Sequence, residues 1–110
     1  DYAGIFSGRD QNKFEKLGLT PVACEHVRAP YVKEFPLILE CTVIQIHEPG
    51  GHTQFIGEIK DVKIDKSCLN EAGKPDIHKI NPIVYGTGDR GYYGIGDFLG
   101  KAFDIGNKLA

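Results

Sequence analysis

Two long runs of apolar residues flank Pro49-Gly50-Gly51. The first reads Leu37-Ile-Leu-Glu-Cys-Thr-Val-Ile-Gln-Ile-His-Glu48 and the second His52-Thr-Gln-Phe-Ile-Gly-Glu-Ile-Lys-Asp-Val-Lys-Ile-Asp65. β-Branched and aromatic residues fill both, and a proline followed by two glycines marks the reversal, so the pattern predicts a long antiparallel hairpin. Leu37, Leu39, Cys41 and Val43 share one face of the first arm, and Ile38, Glu40, Thr42, Ile44 and Ile46 share the other. Apolar positions on both faces predict a strand covered on both sides, or one curving through a barrel wall. On the second arm Phe55, Gly57 and Ile59 share a face, and a glycine inside a strand marks a bend, a bulge or a close approach. Alternation weakens after Lys60, which predicts exposed positions at Asp61, Lys63 and Asp65.

Shorter elements surround the hairpin. Ser7-Gly-Arg-Asp10 resembles a capping box, with Phe14 and Leu17 at helical spacing and Gly18 placed as a C-terminal cap, so residues 8–17 are predicted helical. Residues 19–27 read as a strand interrupted near Pro21, and the two prolines of Ala29-Pro30 and Phe35-Pro36 bracket a loop. Asp65 caps a helical turn reaching Glu71, and Asp76 caps a short helix through Ile80. Ile83-Val84-Tyr85 is a short strand leading into a glycine-dense stretch, residues 86–96, and the tail from Asp97 to Ala110 reads as a packed short helix and arm. The fold class is mainly β with short helices, and no internal repeat or linker divides the chain.

Length and composition narrow the picture. A chain of 110 residues is at most one domain and is expected to bury one modest core. Net charge is −2 and no basic stripe is present, which argues against a nucleic-acid partner. No apolar run reaches the ~18 residues of a membrane span. Cys24, Cys41 and Cys68 are odd in number and widely spaced, so they read as mostly buried free thiols in a reducing, cytoplasmic setting rather than as a disulfide framework. Cys24 and His26 do not make a metal site by themselves. The chain begins at Asp1 without an initiator methionine and reads as a fragment, a processed product or a chain lacking its first part.

Gly86-Thr-Gly-Asp-Arg-Gly91 matches G-x-G-x-x-G, but Tyr92-Tyr-Gly-Ile-Gly is poor helix material and 19 residues leave no room for a second parallel strand. A glycine-rich turn on which Tyr92 and Tyr93 pack is the better reading. His52 is either an exposed turn histidine or a donor to a bound ring or phosphate. Lys13 alone reads as a solvated helix residue, and Tyr85 as core or subunit-contact material. No nucleophile–base pair can be assembled from spacing.

Gly51-His-Thr-Gln-Phe-Ile-Gly-Glu58, with Ser7-Gly-Arg-Asp-Gln-Asn-Lys-Phe14 and Gly91-Tyr-Tyr-Gly-Ile-Gly96, resembles the flavin reductase-like family, and within it the flavoredoxins. Leu19-Thr-Pro-Val22, Ala29-Pro-Tyr31, Pro36-Leu-Ile-Leu-Glu-Cys41 and Lys79-Ile-Asn-Pro-Ile83 fit the same pattern in the same order. The resemblance implies part of an FMN-binding split β-barrel, a homodimer, and noncovalent FMN reduced by a nicotinamide or a protein donor. It implies that Lys13, His52 and Tyr85 lie around the flavin. Family members are nearly twice as long, so residues 1–110 correspond to the C-terminal portion of the domain, with the N-terminal strands absent. Missing strands leave unpaired edges, and an intertwined oligomer or a companion chain is expected. The resemblance leaves three functions open: an FMN-dependent electron-transfer oxidoreductase, a non-catalytic FMN-binding barrel, and a fragment that no longer holds flavin.

Overall fold

The computed structural model describes residues 1–109. In chain order they form α1 (Tyr2–Ile5), α2 (Lys13–Leu17), β1 (Pro21–Ala23), β2 (Pro30–Val32), β3 (Leu37–His47), β4 (Gln54–Ile64), a 3₁₀ turn (Lys66–Cys68), α3 (Ile77–Ile80), β5 (Val84–Gly86), β6 (Gly91–Tyr93) and a second 3₁₀ turn (Ile105–Leu109). The strands pair antiparallel as β1–β2, β3–β4 and β5–β6, giving three separate two-stranded sheets among the described residues.

The β3–β4 hairpin dominates, and its register explains the irregular hydrophobic pattern. Leu37 opposes Ile64, Leu39 opposes Val62, Cys41 opposes Ile59, Val43 opposes Gly57 and Ile46 opposes Phe55. Register shifts fall between Glu40 and Cys41 and between Val43 and Gln45, where Lys60 on β4 and Ile44 on β3 are the extra residues. Each extra residue is a bulge that resets the two-residue alternation. The bulges therefore keep one face apolar along the whole hairpin, and the opposite face carries Glu40 against Asp61 and Thr42 against Glu58. Alternation weakens at Lys60 in the sequence because the strand changes phase there. Gly57 lies at the β3 bulge, where a Cβ would come within 3.0 Å of the Cys41 Cβ, the close approach that a strand glycine signals.

Several local expectations shift. The helix begins at Lys13 rather than residue 8, because Asn12, not Ser7, accepts from the Glu15 amide. Ser7 instead closes a turn, accepting from the Arg9 amide at its Oγ and the Asp10 amide at its carbonyl. Gly18 does end α2, in the left-handed region at φ 63°. The strand predicted over 19–27 shortens to β1, and the predicted loop supplies β2 as its partner. Asp65 and Asp76 cap their turns as expected, accepting from the Ser67 amide and from the His78 and Lys79 amides respectively. The glycine-rich stretch folds back as β5–β6, with no helix after the G-x-G-x-x-G run.

The expected core does not form among the described residues. Among the described residues only Cys68 and Glu40 are buried, at 5% and 1% exposure. Of the thiols, Cys24 is half-buried and Cys41 exposed, so the expectation of mostly buried cysteines holds only for Cys68. The 24–29 turn covers β3 at Glu40, whereas Leu39, Val43, Ile46, Phe55, Ile59 and Val62 stand open. In the tail Phe98, Leu99 and Phe103 are exposed rather than packed. The radius of gyration is 17.8 Å, against about 13 Å for a compact chain of this length. Apolar residues patterned for burial thus stay uncovered among the described residues.

Candidate functional site

α1 gathers two of the three residues implicated by sequence. Lys13 opens α2, and its ammonium donates to the Ala3 carbonyl at 2.5 Å. The Tyr2 hydroxyl donates to Gln11 Oε1, a second tie between α1 and the same loop. Residues 8–14 line a cleft of about 470 Å³ that holds Arg9, Asp10 and Lys13. Two cations beside one carboxylate leave this loop suited to an anion.

Tyr85 also lies beside α1, in a cleft shared with Gly4 and Ile5. It pairs with Tyr92 across β5–β6, and the two rings lie 5.4 Å apart and tilted by 49°, a favourable offset for aromatic neighbours. The Tyr92 hydroxyl donates to the Asp1 carboxylate at 3.1 Å. Asp1, Gly4, Ile5, Tyr85, Arg90 and Tyr92 line a cleft of about 440 Å³. Arg90 turns the hairpin at φ 57°, and the Asp89 carboxylate accepts from the Gly91 amide and from the Tyr93 hydroxyl. Arg90 and Tyr92 were not singled out from the sequence as candidates. The signal was the glycine-bounded turn between tyrosines, which places Tyr92 opposite Tyr85.

His52 does not join them. It is exposed in the turn between β3 and β4, where the nearby Thr53 hydroxyl donates to Glu48 at 3.2 Å. Among the described residues it shares no hydrogen bond with Lys13 or Tyr85.

A charged cluster that sequence reasoning missed lies on the polar face of the hairpin. Lys63 reaches Asp61 at 2.6 Å, Glu25 at 3.2 Å and Glu40 at 3.3 Å. Asp61 and Lys63, predicted exposed, are half-buried in this cluster. The Asp61 carboxylate, followed by those of Glu25 and Glu40, holds the Lys63 ammonium well above the usual lysine range against the effect of burial. Burial pushes the Glu40 carboxyl up, but the His26 and Glu25 amides and the Lys63 ammonium outweigh it and hold it below the usual carboxylate range. A lone glutamate inside an apolar strand was the readable signal, since such a residue is seldom buried without partners. No group of three or more His, Cys, Asp or Glu among the described residues is placed to hold a metal ion. No helix among them is long and apolar enough to cross a membrane.

The family model described as "Flavin reductase like domain" matches residues 1–95. A flavoredoxin of Desulfovibrio vulgaris is 56% identical and superposes with a TM-score of 0.88, covering 96% of this chain and 56% of that one. A flavoredoxin from Methanosarcina acetivorans is 34% identical with a TM-score of 0.86, covering 100% of this chain and 57% of that one. At 20% identity and a TM-score of 0.72, nitrilotriacetate monooxygenase component B from Bacillus cereus shares the fold, covering 89% of this chain and 50% of its own. An uncharacterised protein of Archaeoglobus fulgidus is 45% identical over 76 residues, which are 69% of this chain and 42% of that protein. The chain thus spans about half the length of the proteins it matches. Its mainly β fold with short helices is that of the split-barrel flavin reductase-like structures.

Proposed function

Because the chain belongs to the flavin reductase like domain family, we propose that it is the C-terminal part of an FMN-dependent oxidoreductase, an electron-transfer flavoprotein of flavoredoxin type. The observation that carries this reading is the likeness to two flavoredoxins over nearly the whole chain. The donor set fits such a cofactor in its chemistry. Arg9 and Lys13 line a cleft able to take an anionic group, and Tyr85 with Tyr92 lines one able to take a planar ring.

FMN supplies the redox chemistry when bound, and the protein sets its position and electronics. Lys13 balances negative charge at the phosphate or at the ring edge. Tyr85 would cover a face of the flavin ring. His52, exposed at the hairpin tip, would donate a hydrogen bond to the cofactor or to an incoming donor molecule. The electron source is a reduced nicotinamide or a donor protein. The working form is a homodimer or an intertwined oligomer, in which added strands cover the open hairpin face. Three free thiols suit a reducing compartment, and we assign the protein to the cytoplasm.

An FMN titration followed by flavin absorbance and fluorescence tests this. The chain is expected to bind saturably with a shifted flavin spectrum, alone at high protein concentration or when the N-terminal half of a flavoredoxin is added. Lys13→Ala is expected to weaken binding roughly tenfold, the loss of one charge-assisted contact. His52→Ala and Tyr85→Ala are expected to weaken it or slow flavin reduction. Absence of binding in both settings overturns the flavin assignment. Unchanged affinity and reduction rate in all three variants overturns the site.

A further inference from the structure

The Glu40 cluster has no part in the flavin reading, and its geometry defines a separate device. Residues 24–29 join β1 to β2, and the Cys24 amide donates to the Ala29 carbonyl at 3.0 Å. The next two amides, of Glu25 and His26, donate instead to the Glu40 carboxylate at 3.3 and 2.8 Å. One side chain of β3 thus takes the place of a neighbouring strand for this turn. Glu40 is 1% exposed, and a buried carboxylate is tolerated only when paired and hydrogen-bonded. Lys63 provides the pairing from β4, at 3.3 Å. The other charged or titratable groups facing the cluster are Cys24, Glu25 and His26 from the turn and Asp61 from β4, with His26 Nε2 lying 3.9 Å from Asp61.

We propose that Glu40 is a latch: its carboxylate, neutralised by Lys63, ties the 24–29 turn to the long hairpin and holds the Cys24 thiol half-buried, slowing its reaction. Cys24 is half-buried. Burial, and then the Glu40 charge beside it, push its thiol above the usual range, so the reactive thiolate is scarce while the latch is shut. Releasing the turn removes both effects together. Because the Glu40 carboxyl is held below its ordinary value, the latch is fully closed above the unfolded glutamate pKa of about 4.3. It opens as pH falls through the lowered folded value.

The test uses the 110-residue chain with Cys41→Ser, which removes the exposed competing thiol. Cys24 modification by a maleimide at neutral pH is expected to speed at least tenfold in Glu40→Gln and in Lys63→Met, and not in Glu58→Gln. Hydrogen exchange separates release from unfolding. In both latch variants the Glu25 and His26 amides are expected to lose protection while the Thr42 and Glu58 amides keep it. In the chain with Glu40 and Lys63 intact, acidification is expected to release the Glu25 and His26 amides before the β3–β4 ladder. Unchanged labelling in both latch variants overturns the proposal. So does loss of the ladder together with the turn, or a lack of protection at Glu25 and His26 at neutral pH.

Discussion

Asp65 accepts from the Ser67 hydroxyl at 2.7 Å and from the Ser67 amide at 2.8 Å. The hydroxyl, and then the amide, hold its carboxyl below the usual aspartate range. Its stabilising contribution is complete above the unfolded aspartate pKa of about 3.9 and fades as pH falls through the lowered folded value. In Ser67→Ala, Asp65 is expected to titrate closer to its ordinary value, read from its carboxyl carbon shift against pH; an unchanged midpoint would deny the hydroxyl that role. Asp65 was legible in the sequence because its partner lies two positions away. Glu40 was not, because it is bonded to residues 14 and 15 positions back and to a lysine on the opposing strand. Lys13, His52 and Tyr85 emerged from a likeness of motif order. Local pattern read them as a solvated lysine, a turn histidine and packing material.

Short elements follow the same rule of range. The α3 cap is local, and Asp76 accepts from the His78 amide at 3.0 Å. Asp76→Ala is expected to cost about 1 kcal/mol of local stability, seen as roughly fivefold faster exchange at the His78 amide; an unchanged rate would make the cap incidental. Ser7 carried the more conspicuous motif, yet Asn12 is the residue that caps α2. Asp at the position three residues after Ser7 is a weak member of a capping box, and the chain there turns early. The hairpin was readable in place and length. Its two bulges were not, because a bulge appears in sequence only as a break in alternation, which exposure or a change of strand phase produces equally well. Once Lys60 and Ile44 are recognised as extra residues, a pattern with apolar residues on both faces becomes one apolar face and one mostly polar face that also carries Ile38 and Ile56.

The whole molecule exposes 9449 Å², where a compact chain of this mass exposes about 6,000 Å². The excess, about 3,400 Å² on this chain's side alone, is larger than one partner's share of most obligate interfaces, which bury about 2,000–5,000 Å² over both partners. Concentration-dependent association is therefore expected in sedimentation. Ile59→Lys, on the apolar face, is expected to weaken it by at least tenfold, whereas Glu58→Lys on the opposite face leaves it intact. Equal behaviour of the two variants would mean that this face is not the one covered. The absence of a core was not legible in composition, since the chain carries a normal hydrophobic fraction of 41%; only how those residues are shared between chain segments decides it. An assembly that covered this excess would be sensitive to cold. Covering the excess changes the heat capacity by roughly −0.5 kcal/mol/K on this chain's side alone. Titration calorimetry should show an association enthalpy that grows more favourable on warming with that slope or a steeper one. An assembly held mainly by this contact loosens on chilling, so storage near freezing would favour its separated parts.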